Sequence, residues 1–125
     1  MAGFRTFEEI AAWQEARVLV GEIYSATGRV PFCTDFGLRE QVQRAAVSIG
    51  SNIAEGFARR GNREFIKFLW IARGSAAEVV TQLYFAKDLS YIDEELFNKL
   101  YARAKKISAM LFNLITSIKD PARLK

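Results

Sequence analysis

Apolar residues recur at three- and four-residue steps through four long stretches of the chain, and short breaks separate them. In the first, Ile10, Trp13, Ala16, Val20, Ile23, Tyr24 and Thr27 make one stripe of helical period. The second carries Leu38, Val42, Ala45, Ile49, Ile53 and Phe57. The third carries Phe65, Phe68, Leu69, Ala72, Ala76, Val79, Leu83 and Ala86. The fourth carries Leu96, Leu100, Ile107, Leu111, Leu114 and Ile118. No stretch alternates with the period of two that marks a half-buried strand.

The breaks carry stop and start signals. Thr6 with Glu9 reads as a capping box for the first helix, Gly28 as a left-handed C-terminal residue and Pro31 as a block to resumption. Thr34 or Asp35 caps the second helix, which ends near Arg59–Gly61, and Asn62 caps the third. Asp93, Glu94 and Glu95 favour the positive end of the fourth helix dipole, and Pro121 closes that helix. The pattern predicts helices over about 7–27, 36–60, 63–89 and 94–119 in one domain spanning 1–125. Loops this short predict an all-α, up-down-up-down antiparallel four-helix bundle.

Composition narrows the chemistry. The 125 residues include no His and one Cys, Cys33. That excludes disulfide frameworks, zinc fingers, Cys/His nucleophile pairs and imidazole acid–base catalysis. No cofactor and no metal site is implied, and no enzyme is expected. The N-terminus turns acidic without an apolar segment, and no run reaches the ~20 apolar residues of a membrane span. With one unpaired cysteine this reads as cytoplasmic.

A polar stripe flanks the apolar one on the second helix: Gln41, Arg44, Ser48, Asn52, Glu55 and Arg59. The third offers Lys67, Gly74, Ser75, Glu78 and Gln82. If these helices form a hairpin centred near Gly61, facing positions have numbers that total about 122. Arg44 with Glu78, Glu55 with Lys67 and Ser48 with Gly74 meet that condition. The two charged pairs are therefore expected to fix the register, with Ala45, Ala46, Ser48, Gly50 and Gly74 letting the backbones approach. As catalytic carboxylates, Glu55 and Glu78 would stand ~16 Å apart in height at helical rise, too far to share a proton or a metal.

The net charge of +4 is concentrated. Between Gly37 and Arg73 seven bases meet three acids, and outside that window eleven bases meet eleven acids. The excess is densest at Arg59, Arg60 and Arg63, which with Asn62 form a candidate phosphate-binding turn for RNA or DNA. The alternative is an interaction scaffold whose basic surface recruits an acidic protein partner. Phe97, Tyr101, Phe112 and Ile115 lie beside the core stripe of the fourth helix, as Phe7 and Leu19 do on the first. They are candidates for a homo-oligomer interface.

The run from Leu38 through Arg44, Ser48, Asn52 and Glu55 to Gly56, with Arg59, Phe65, Phe68–Leu69, Ile71–Ala72, Gly74–Ser75 and Glu78, resembles the four-helix-bundle proteins of the 23S rRNA intervening-sequence type. That family includes accessory proteins of diversity-generating retroelements. The resemblance extends from Phe7 and Trp13 to the fourth helix. It implies a ring-like homopentamer and nucleic-acid binding. Arg44, Asn52, Glu55 and Glu78 carry over as fold determinants, and Gly50 departs from the proline common at that position.

Overall fold

The computed structural model describes residues 3–119. Its elements are a 3-10 turn at Phe7–Glu9, α1 at Ala11–Thr27, a second 3-10 turn at Phe32–Thr34, α2 at Phe36–Ala58, α3 at Asn62–Asp88 and α4 at Glu94–Lys119. The described residues are all-α and contain no strand. Helix α2 packs against α1 and α3, and α4 against α3 and α1, around one shared core. The proposed stop at Pro121 lies outside the described residues.

The start of α1 is four residues later than the caps predict. Glu9 does not close a box with Thr6, whose side chain caps nothing. Its carboxylate accepts from the backbone N–H of Arg5 at 2.8 Å instead. Phe7 folds back edge-on against Trp13, with centroids 5.1 Å apart. Ile10 leaves the turn in an extended conformation and enters the core. Burying two apolar side chains outweighs one capping interaction worth about 1 kcal/mol. Gly28 ends α1 at φ −81°, so no left-handed residue is needed there. Thr27 closes that end, donating to the Ile23 carbonyl at 2.8 Å and accepting from Gln43 of α2 at 2.9 Å.

Asp35 caps α2 by accepting from the Leu38 N–H at 3.1 Å. Its other oxygen accepts from the Tyr91 hydroxyl at 2.8 Å, and Tyr91 stacks on Phe32 at 5.1 Å. One carboxylate thus joins the α1–α2 connection to the α3–α4 connection.

Along α2 and α3, contacts keep the expected register: Ser75 Oγ donates to Ser48 Oγ at 3.0 Å, and Phe57 meets Phe65 at 5.9 Å. Charged pairs do not set it. Arg44 lies 3.9 Å from Glu40 on its own helix, with side chains 82% and 69% exposed, and Glu55 pairs with Arg59 at 3.2 Å. Neither Arg44–Glu78 nor Glu55–Lys67 forms, and Glu78 and Lys67 are both exposed. Equal height along two helices does not place two side chains on facing sides, and each charge finds a nearer partner one turn away.

The close approach is at Gly56. A Cβ there would stand 2.5 Å from Phe68 Cβ and 3.3 Å from the Phe65 ring. Gly50 faces Trp13 of α1, and a Cβ on Gly74 would meet nothing within 4 Å. The α1–α4 side is joined by Arg103, which donates from Nη1 to Glu15 at 2.6 Å and from Nε to Glu22 at 2.5 Å. Lys106 and Lys99 approach the same two carboxylates at 3.5 and 3.6 Å. These hydrogen bonds, Glu22 first, push the Arg103 pKa above its ordinary value. Among the described residues no helix is long and apolar enough to cross a membrane.

Two outcomes follow. Gly56→Ala should cost about 1–3 kcal/mol through overpacking, whereas Gly74→Ala should stabilise by about 0.5–1 kcal/mol. Urea unfolding of both variants checks the contrast. For the Asp35–Tyr91 bond, the Leu38 N–H and the tyrosine hydroxyl hold the carboxyl below its ordinary pKa, and the same bond raises the tyrosine. The lowered carboxyl gives stability that is present above its unfolded pKa and lost as pH falls through the folded one. The raised phenol gives stability that is present below its unfolded pKa and lost as pH rises past the folded one. Tyr91→Phe should therefore destabilise the fold by a constant margin between about pH 5 and 9, and that margin should shrink in acid and in alkali.

Candidate nucleic-acid interface at the α2–α3 turn

Three residues join α2 to α3, and their backbone dictates where the charges point. Arg59 closes α2 as its C-cap with helical angles. Arg60 then takes a positive φ of 64°, with its N–H donating to the Phe57 carbonyl at 3.2 Å. Gly61 is extended and precedes α3 as its N-cap without contributing a side chain. Asn62 is the first helical residue, so it does not cap α3 as expected. The first intrahelical bond runs from the Phe65 N–H to the Gly61 carbonyl at 2.9 Å. The N–H groups of the first turn ahead of it face outward at the positive end of the helix dipole.

Arg59, Arg60, Asn62 and Arg63 are all exposed at this end. Arg59 is the most constrained: it pairs with Glu55 and lies 5.2 Å over the ring of Phe68. Lys67 approaches that ring from the next turn at 5.9 Å. Arg60, Arg63 and Lys67 make no ion pair among the described residues. Glu64, in the first turn of α3, is the nearest acidic residue in sequence. The turn thus gathers three unneutralised cations, one partly neutralised arginine and a helix start. An anion with several oxygens, such as a phosphodiester, suits this set of donors. Among the described residues no three His, Cys, Asp or Glu side chains come together to hold a metal ion.

Sequence reasoning assigned Lys67 to a pair with Glu55 and so left it out of this group. Its step of four residues from Arg63 was the available signal. The same line continues to Trp70, which is 41% exposed, and Phe112 of α4 stands beside it at 6.3 Å. Neither aromatic was placed at the turn.

The expected oligomer face is redrawn. Phe97 and Ile115 are 5% and 1% exposed and belong to the core. Phe97 packs on Tyr84 at 4.9 Å and on Tyr101 at 5.5 Å, which leaves Tyr101 half-buried. Leu19 is fully buried as well. The apolar stripe of α4 is wide because it contacts both α1 and α3, so its apparent surplus is core. Of the four, only Phe112 is exposed. Large apolar side chains on the surface are spread over the chain, and those on α3 and just past it are Trp70, Ile71, Tyr84, Phe85 and Leu89.

Residues 8–113 match the family described as 23S rRNA-intervening sequence protein. A crystal structure of a protein with unknown function from the S23 ribosomal protein family of Bacteroides thetaiotaomicron shares the fold. Its TM-score is 0.77 at 24% identity, over 84% of this chain and 98% of that one. No curated protein matches the chain.

The left-handed backbone at Arg60 costs an L-residue about 1–2 kcal/mol relative to glycine. Arg60→Gly should therefore keep or raise the unfolding midpoint while weakening binding of a polyanion such as heparin. Thermal unfolding and heparin-column elution read the two effects separately.

Proposed function

The chain belongs to the 23S rRNA-intervening sequence protein family, and from that premise we propose a non-enzymatic, homo-oligomeric bundle that holds RNA or DNA backbones at the α2–α3 turn. The helices run up-down-up-down in this reading. The protein works in a reducing, cytoplasmic setting, in keeping with the single Cys33.

One contrast within the molecule carries the reading. On the α1–α4 side, Lys99, Arg103 and Lys106 each have a carboxylate, Glu15 or Glu22, within ion-pair distance. At the α2–α3 turn, Arg60, Arg63 and Lys67 have no carboxylate within ion-pair distance among the described residues. Like charges that crowd without counter-charge favour the arrival of an anion, and arginine's planar fork matches phosphate oxygens. Each neutralised phosphate releases counterions, so repeating the turn around a ring multiplies the effect.

The exposed apolar part of α3 supports self-association. Ile71 and Phe85, which share one side of the helix, are each more than two-fifths exposed. Beside Phe85, the buried Gln82 has a carbonyl oxygen without a partner among the described residues. A second subunit covering this face would remove apolar area from water. Five subunits is the number that the family resemblance implies.

The test is a salt titration of duplex DNA and structured RNA binding, with light scattering on the same samples. A mass several times 14.1 kDa is expected before nucleic acid is added. The log–log slope should be steep, and Arg59→Gln, Arg60→Gln and Arg63→Gln together should lower it by up to ~3 per engaged subunit. A monomeric mass, or a slope the triple variant leaves unchanged, overturns the corresponding half of the proposal.

A further inference from the structure

Beyond the turn, α3 carries its cations toward an exposed aromatic corner. Arg63, Lys67, Trp70 and Gly74 follow at four-, three- and four-residue steps and so share the outer line of the helix, ~16 Å long at helical rise. Trp70 and Phe112 are 41% and 44% exposed and meet at 71° with centroids 6.3 Å apart. Together they form two walls of a corner. The Arg73 guanidinium lies over one face of each ring, 5.8 Å from the Trp70 centroid and 5.0 Å from that of Phe112, so a base would stack on the other face. Lys119 Nζ stands 5.7 Å from Trp70. Arg73 is held in place, because its Nε donates to the carbonyl and the hydroxyl of Ser108 at 3.2 and 3.1 Å. Both terminal nitrogens of that guanidinium have no hydrogen-bond partner among the described residues. The corner opens into a cleft of about 400 Å³ lined by Trp70, Arg73, Gly74, Ala77 and Ser108.

We propose that this corner takes unpaired bases, making the preferred ligand a single-stranded nucleic acid. Its bases stack on Trp70 and Phe112, and its phosphates pass along Arg73, Lys119, Lys67 and the α2–α3 turn. The inference rests on the turn reading and names its ligand class.

Three observations select this occupant. Partly exposed aromatic side chains interleaved with cations are what single-strand binders present, each stacked base adding affinity without regard to sequence. In a duplex the base faces are already covered by neighbouring pairs, so Trp70 and Phe112 have nothing to stack on. An apolar protein partner on the corner would bury Arg73 and Lys119, which have no ion-pair partner among the described residues, and burying unpaired charge is unfavourable. Gly74 adds a shape argument: a Cβ there meets nothing within 4 Å, so the cleft floor is open backbone.

The experiment uses the full chain carrying Trp13→Phe. That leaves Trp70 as the only tryptophan, since the chain has two. The probes are an oligothymidylate of ~12 nucleotides, within the size range of single-strand sites, and a duplex of the same length. Adding the oligothymidylate should quench Trp70 emission, and the duplex should not. In the otherwise unmodified chain, Trp70→Ala should lower single-strand affinity by about 5- to 150-fold and leave duplex affinity within about twofold. Trp70→Phe should retain much of the binding. Gly74→Gln, which fills the cleft from a position with no steric conflict, should reproduce the single-strand loss in a folded protein. Single-strand binding without quenching, or equal losses for strand and duplex in Trp70→Ala, overturns the stacking site while the turn reading stands. If neither probe binds at low salt, both fall together.

Discussion

The approach of α2 to α3 at Gly56 constrains most of what lies around it. With no side chain at that position, the Phe68 Cβ comes within 2.5 Å of where a methyl carbon would sit. Phe65 and Phe57 then meet edge to face, and Ser48 meets Ser75 farther along. Helices this close leave little room for a gradual turn. The chain reverses in three residues, and one of them, Arg60, takes the left-handed conformation. The tightness of the reversal is thus a consequence of packing in the core beneath it.

Electrostatics divides the molecule along the same lines. Arg103 is three-quarters buried between Glu15 and Glu22, with Lys99 and Lys106 at the margin, so each cation of the α1–α4 seam has a carboxylate beside it. Pairs of this kind resist the loss of one partner more than they stabilise the whole, which suits a seam that must hold one alignment. On the opposite side the helices join through Gly56, Phe68 and small residues. Among the described residues the side-chain hydrogen bond between the helices there is Ser75 to Ser48, with Asn52 bonding to Ser48 along α2. Its cations are consequently not needed to hold the helices together and remain available to an outside anion.

Much of this was legible in the sequence. Helix ends at Phe36, Asn62 and Glu94 lie within about a residue of their expected places because a cap, a glycine or an acidic turn marks each one. The register of α2 against α3 follows from the position of Gly61. What the pattern misjudged was direction around the helix axis. Arg44 and Glu55 stand at the expected heights but face solvent, where Glu40 and Arg59 lie one turn away. Phe97 and Ile115 seemed surplus because a two-sided helix was read as one-sided. The local capping signal at Thr6 and Glu9 lost to burial of Ile10 and the packing of Phe7 on Trp13. Trp70 escaped notice because an aromatic on a helix reads first as core, and its exposure depends on how α4 sits beside α3.

Phe68 joins the two themes. Its Cβ sets the helix spacing at Gly56, while its ring carries Arg59 on one approach and Lys67 on another, at 5.2 and 5.9 Å. A ring that is 9% exposed cannot move without disturbing the core, so the two cations above it are held against a nearly rigid support. Cation–π contacts at such a surface are worth about 0.5–1 kcal/mol each, too little to fold a helix pair but enough to bias where a flexible side chain rests. Preordered cations lose less conformational freedom when a phosphate arrives. The residue that makes the hairpin tight is therefore also the one that orders its charge, and the core and the basic turn are coupled through a single aromatic side chain.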